Sequence, residues 1–246
     1  MDVASYVLLS HEQALRRRLD VAANNMANMS TAGFKREDPV FREYVEETGE
    51  RDAPVRTTSM VLDQGATHDV TQGAWQVTGN PLDLMIEGEG YFAVEDAAGA
   101  TAYTRAGHLK VGDDGSLVTA NGQKLLGEGG RPIVVPPDQA GALTIGTDGT
   151  VGGPGGPLGR IAITRFDDEA GVDPRGDGLF SASGGRELPA EETRLRSGGV
   201  EASNVQPIVE TTNMVEILRA YQTSMRMSEA LGDLRKSAID KLGRFG

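Results

Sequence analysis

The chain contains no cysteine, which removes disulfides, thiolate nucleophiles and cysteine-based metal sites together. Histidine is nearly as scarce: His11, His68 and His108 are the whole supply, and three isolated imidazoles give little material for a metal site. No cofactor and no metal is therefore expected. Aromatic residues make up 5% of the sequence, with Trp75 as the one tryptophan. No run approaches the ~20 apolar residues that a membrane helix needs, so membrane insertion is not expected. The apolar run at residues 3–9 is short, has no basic leader and is followed at once by Ser10-His11-Glu12. That is not the layout of a cleaved signal peptide. Basic residues are outnumbered 24 to 36, a net charge of −12. Residues 37–204 alone carry 13 basic and 28 acidic side chains. Such a surface repels phosphate backbones, which argues against nucleic-acid binding and is read simply as a solubilising charge.

The chain has 246 residues, enough for one large domain or two small ones. Glycine and proline divide it sharply. Of 33 glycines, one lies in residues 1–36 and three in residues 205–246; of 11 prolines, only Pro207 lies in either segment. Helix interiors exclude both residues, whereas turn-rich β-structure uses them. The expected fold is therefore α+β, a helix at each end and an antiparallel β-barrel or sandwich between. The expected segments are a helix at 1–36, an extended connector with some strand at 37–80, a β-rich module at 81–190, a return connector at 191–204 and a second helix at 205–246.

In the first segment Leu8, Leu15, Leu19, Ala22, Met26 and Met29 repeat with heptad spacing from Leu15 onward. The helix is expected to end near Ser30-Thr31-Ala32-Gly33, with Gly33 as a left-handed cap. In the last segment Ser203 and Asn204 are candidate caps and Pro207 suits a first turn. A seam then runs through Ile217, Ala220, Ser224, Met227, Leu231, Leu234, Ala238, Lys241 and Phe245, beside a second stripe of Met214, Leu218, Tyr221 and Met225. Two stripes on one helix require more than one neighbour, so the helices are expected to form a coiled-coil-like pair and also to meet other copies. Asn24, Asn25 and Asn28 are poor helix formers, and their density suggests hydrogen bonds between packed helices that set register. Short strands are expected at 82–86, 91–95, 102–105, 109–111, 117–119, 132–135, 143–145 and 160–166. The dipeptides Asp114-Gly115, Asn121-Gly122 and Asp148-Gly149 mark tight turns between some of them.

No stretch assembles a nucleophile, a base and an orienting group, so the chain is not expected to be an enzyme. Gly88-Glu89-Gly90-Tyr91-Phe92-Ala93 matches a loose dinucleotide pattern but leads into β-forming residues where that site needs a helix. Gly127-Glu128-Gly129-Gly130 lacks the Lys-Ser/Thr of a phosphate loop. Asp113-Asp114-Gly115 lacks the alternating oxygens of a calcium loop, and Asp167-Asp168-Glu169 is a loop cluster with nothing to set a catalytic spacing.

Three stretches carry a family resemblance. The first is Ala22-Ala23-Asn24-Asn25-Met26-Ala27-Asn28 leading to Thr31-Ala32-Gly33-Phe34-Lys35. The second is Gly79-Asn80-Pro81-Leu82-Asp83-Leu84 through Gly88-Glu89-Gly90-Tyr91-Phe92, with Thr104-Arg105-Ala106-Gly107 after it. The third is Glu201-Ala202-Ser203-Asn204-Val205, followed by Arg219-Ala220-Tyr221-Gln222. In this order they resemble the bacterial flagellar rod and hook family. His11, Met26 and Ser224 depart from the family's usual Gly, Leu or Ile, and Asn. The length, the single β-module and Gly129-Gly130-Arg131-Pro132-Ile133 resemble the proximal rod members most, the distal rod members being the alternative.

The resemblance implies a structural subunit of the basal-body rod, part of a torque-transmitting drive shaft in the periplasm. Its terminal helices would line the inner tube. Its partners would be other copies, neighbouring rod proteins and the flagellar type III export apparatus, which would export it without a cleaved signal. The expected assembly interface comprises Leu8, Leu15, Leu19, Ala22, Asn24, Asn25, Met26, Asn28, Met29, Ile217, Ala220, Tyr221, Met227, Leu231, Leu234 and Phe245. A β-rich ligand-binding module on a helical oligomerisation stalk, and an uncharacterised hydrolase, are the competing readings from other classes. The first lacks an aromatic platform beyond Trp75, and the second lacks a nucleophile.

Overall fold

A computed structural model describes residues 3–48, 56–167 and 171–243. The chain has helices near both ends and an antiparallel, β-rich middle. It divides into two compact units, each with its own core. One holds residues 1–27, 37–68 and 206–246; the other holds residues 28–36 and 69–205.

In the first unit, helix α1 (Val3–Ala27) and helix α2 (Pro207–Leu242) pair, and strands β1 (Glu37–Thr48) and β2 (Arg56–His68) form an antiparallel hairpin. Residues 37–80, expected as an extended connector with some strand, thus contain two of the longest strands among the described residues. A lone two-stranded hairpin is marginal in water; here α1 lies against both strands, with an Arg17–Asp63 ion pair at 3.2 Å. The ladder bulges between Pro39 and Phe41, where proline has no amide to donate. That bulge breaks the alternation a sequence pattern needs.

The end of α1 and the cap of α2 differ from expectation. Helix α1 ends at Ala27 rather than near Gly33, and the chain turns there. Thr31 N–H donates to the Asn28 carbonyl at 3.1 Å, and the Thr31 hydroxyl donates to Asn28 Oδ1 at 3.1 Å. Helix α2 begins with Pro207 in its first turn, but its cap residue is Gln206, with no side-chain capping bond. Ser203 and Asn204 are engaged elsewhere: Ser203 Oγ accepts from Val205 N–H at 3.2 Å, and Asn204 serves the second unit.

The second unit is built around β5 (Tyr91–Glu95), which pairs with β6 (Thr101–Thr104) and with β9 (Lys124–Gly127). Outward from β9 come β8 (Leu117–Thr119) and β7 (Leu109–Val111), and short β10 (Arg131–Pro132). Beyond β6 come β16 (Leu179–Ser181) and β15 (Asp173–Gly176); β14 (Ile163–Arg165) joins β5 to β17 (Arg186–Glu187). The path β15-β16-β6-β5-β9-β8-β7 is open, and its end strands do not pair with each other. A separate three-stranded sheet holds β11 (Thr144–Ile145), β12 (Thr150–Gly153) and β13 (Gly156–Arg160).

Phe92 and Val94 point into the main core, while Tyr91 packs with Phe166 and Phe180, and Ala93 with Leu126 and Ala162. Both faces of β5 are thus covered. Its sequence accordingly reads as a continuous apolar run rather than an alternating one. Burying one such core side chain contributes about 1.5–3 kcal/mol. Gly88 and Gly90 lead directly into β5, so no helix follows the dinucleotide-like pattern.

The chain enters and leaves this unit side by side. Strand β3 (Trp75–Val77) pairs with β19 (Gly199–Glu201), and β4 (Leu84–Ile86) pairs with β18 (Leu195–Ser197).

Candidate assembly surface and the buried motif cluster

The helix pair runs antiparallel. Glu12 Oε1 accepts from Ser228 Oγ at 2.8 Å and from Ser224 Oγ at 3.4 Å, while Leu15 and Ala22 pack with Ile217 farther back along α2. Only part of the seam is covered. Leu15, Ala22 and Ile217 are buried, with Leu19, Met214, Ala220 and Tyr221 at their margin. Leu8, Met26 and Leu231 are half-buried. Met227 and Leu234 are 54% and 67% exposed, as is Ile239 at 69%. At 1.5 Å per residue, α2 outreaches α1 by roughly 16 Å, and its uncovered apolar residues run along its whole length, from Ile208 at 83% exposed to Ile239. An open groove of about 430 Å³ runs between the helices, lined by Leu8, His11, Arg219, Ala220, Thr223, Ser224 and Met227.

The asparagines divide. Asn24 is exposed, while Asn28 lies past the end of α1, as does exposed Met29. Asn25 is 1% exposed, and its carboxamide forms a two-point clamp. Nδ2–H donates to the Glu37 carbonyl and Oδ1 accepts from the Glu37 N–H, both at 2.9 Å. The amide therefore holds the first residue of β1 in its own chain, where an interhelical partner was expected. The polar cross-helix contacts come instead from Ser224, which lies on the seam, and from Glu12 and Ser228, which periodicity does not single out. A serine on an apolar seam was the one local hint. His11 Nδ1 lies 3.5 Å from Ser224 Oγ, so two of the positions that depart from the family pattern are neighbours. Phe245 lies outside the described residues.

The second unit brings the signature stretches together. Glu201 is 1% exposed. Its Oε1 accepts from Lys35 Nζ at 2.6 Å and from Gly73 N–H at 2.9 Å; its Oε2 accepts from Arg105 at 3.3 Å. Lys35 also donates to the Thr71 carbonyl at 2.8 Å and the Val70 carbonyl at 3.4 Å. The Arg105 guanidinium sits 5.1 Å from the Tyr91 ring centroid, within cation–π range. Around this cluster the backbone is tied too. Gly33 N–H donates to the Glu201 carbonyl at 2.8 Å, and Arg36 N–H donates to Asn204 Oδ1 at 2.7 Å. Asn204 Nδ2 donates to the carbonyls of Asp69 and Thr71. The Asp69 carboxyl is held below the usual carboxylate range, first by the Thr71 hydroxyl and amide and further by Arg36 and Lys35. Gly33 has φ +71°, and a Cβ there would lie 2.4 Å from the Arg105 carbonyl carbon. It is glycine because Arg105 passes over it, not because it caps α1. Gly107 is equally confined, with the Leu84 carbonyl oxygen 1.7 Å from where its Cβ would stand.

Among the described residues no group of His, Asp or Glu is arranged to hold a metal ion, and no helix is long and apolar enough to cross a membrane. What the molecule offers is a partly uncovered helical surface and a β-rich unit whose two crossings are tied by charge.

Comparison with known proteins places this architecture. The flagella basal body rod protein family model matches residues 6–35, the D1 domain model of the flagellar hook protein FlgE/F/G group matches 85–153, and the flagellar basal body rod FlgEFG C-terminal model matches 196–241. The flagellar basal-body rod protein FlgF of Caulobacter vibrioides is 38% identical over 252 residues, with all of both chains covered. The FlgF protein of Salmonella typhimurium is 33% identical, covering 92% of this chain and 93% of its own. The basal-body rod protein FlgG of Bacillus subtilis is 33% identical, covering 96% and 97%. The chain belongs to the flagellar basal-body rod protein family. It is a structural protein of the bacterial flagellum's basal body.

Proposed function

We propose that this chain is a non-enzymatic, self-assembling subunit of the proximal part of the rod, joining other copies of itself and neighbouring rod proteins through its terminal helices. The observation that carries this is the uncovered apolar surface of the helix pair. Met227, Leu234 and Ile239 are 54%, 67% and 69% exposed on one helix, as are Tyr6 and Leu9 at 48% on the other. So many large apolar side chains on two paired helices mark a surface meant to be covered. The occupant that suits heptad-spaced residues is another helix with the same spacing, in a coiled-coil-like packing. The groove lined by Leu8, Ala220 and Met227 has the apolar character to receive it. Export by the flagellar type III apparatus to a periplasmic rod, and a sandwich-like β-rich unit with a mechanical role, complete the reading. The test is incorporation. A chain carrying both Leu231→Ala and Leu234→Ala should stay folded as a monomer yet fail to enter basal bodies, leaving them without hooks and the cells non-motile. Normal motility with this variant would overturn the assembly role of the α2 surface.

A further inference from the structure

We propose that Lys35, Arg105 and Glu201 form a buried ionic staple that binds the incoming and outgoing chain crossings into one cooperative body with the β-rich unit. The staple is separate from the helix surface through which the chain assembles.

Three observations on different atoms support this. First, the three side chains are 2%, 3% and 1% exposed, and each comes from a different signature stretch. Lys35 follows Gly33-Phe34, Arg105 lies in Thr104-Arg105-Ala106-Gly107, and Glu201 opens Glu201-Ala202-Ser203-Asn204. Second, one carboxylate is shared by two cations and an amide. Removing a charge from a buried group of this kind leaves its partner uncompensated in a low-dielectric site, so the members hold or fail together. Third, the crossings are bonded to each other directly: Gly33 N–H to the Glu201 carbonyl, Arg36 N–H to Asn204 Oδ1, and Asn204 N–H to the Phe34 carbonyl. Residues 28–36 follow α1 in sequence, yet they group with residues 69–205 in space. The signature at 31–35 is thus a strut of the β-rich unit rather than the tail of an assembly helix.

Native-state hydrogen exchange on the full-length monomer tests this. In the wild type, the amides of Gly33, Arg36, Ala202 and Asn204 should exchange as slowly as those of β5. Lys35→Met takes the 2.6 Å cation from Glu201 Oε1 and strands the Thr71 and Val70 carbonyls in the same buried site. It should accelerate all four crossing amides by about 100-fold or more, with β5 protection unchanged. Acceleration confined to Gly33 and Arg36, with Ala202 and Asn204 still protected, would show that the crossings are not coupled and would overturn the proposal. No acceleration would overturn it as well. If Lys35→Met unfolds the whole unit, Lys35→Arg decides. A folded, protected Arg variant assigns the loss to charge and supports the staple; an unfolded one assigns it to side-chain shape and refutes it. Trp75, the cross-strand partner of Glu201 and the only tryptophan, reports on the same place by fluorescence.

Discussion

Two residues show how a single side chain settles local structure. Gly33 cannot accept a Cβ. The left-handed backbone and the Arg105 carbonyl carbon at 2.4 Å act together, and a backbone neighbour cannot swing aside. Gly33→Ala should cost the β-rich unit about 2 kcal/mol or more, measured as a lower urea midpoint of Trp75 fluorescence; an unchanged midpoint would refute the close approach. Asn25 acts through its amide. Asn25→Leu strips the Glu37 N–H and C=O of their partners, and each stranded backbone group costs about 1–3 kcal/mol if it stays dry. The expected outcome is a less stable helix–hairpin unit with unaltered Trp75 fluorescence. Loss of rod assembly with a fully stable monomer would instead restore the register role first expected of this asparagine.

At the scale of elements, α2 does two jobs along its length. Ile217 is 4% exposed against α1, whereas Leu234 is 67% exposed. Ile217→Ala should therefore destabilise the monomer by about 2–5 kcal/mol. The double change at Leu231 and Leu234 should leave monomer melting nearly unmoved while abolishing incorporation. Equal destabilisation by both would mean the far end of α2 is already covered. The hairpin of β7 and β8 makes a prediction about pH. Asp114 is pulled down to about 2, first by its hydrogen bond with Lys124 and then by the Ser116 N–H; Lys124 is raised by the same partner. A carboxyl lower in the folded than in the unfolded chain adds stability above its unfolded pKa, about 4, and loses it as pH falls toward 2. Asp114→Asn should therefore lower the unfolding midpoint slightly at pH 7, with the difference shrinking as pH falls from about 4 and gone well below about 2. A difference equally large at pH 7 and pH 2 would exclude this ion pair as its cause.

On the scale of the whole molecule, the two units have cores of very different size. The helix pair buries Leu15, Ala22 and Ile217, whereas the β-rich unit buries sixteen apolar residues in its main cluster alone. The isolated monomer should unfold in two steps: helical ellipticity falls at lower urea, and Trp75 fluorescence follows at higher urea. Covering the exposed stripe by assembly should raise the first transition. A single coincident transition would show that the units fold as one.

What the amino-acid order determined by itself was local in kind. Heptad spacing placed the two helices, because a helix face repeats along the chain whatever it packs against. Strands 91–95, 109–111 and 117–119 and the turn at Asn121-Gly122 were legible because turn chemistry and apolar runs act within a few residues. The family was legible because its signature stretches are short and contiguous. Tertiary structure alone decided where those signatures meet. Glu201 lies 166 residues from Lys35 and 96 from Arg105, and no periodicity relates such positions. The early end of α1, the clamp of Asn25 and the hairpin at 37–68 likewise depended on contacts the chain makes only after turning back on itself. Which seam residues are covered depends in turn on the unequal lengths of two helices set by distant turns. Backbone conformation is chosen by near neighbours; a buried charge is balanced only by whatever the fold places within hydrogen-bond reach.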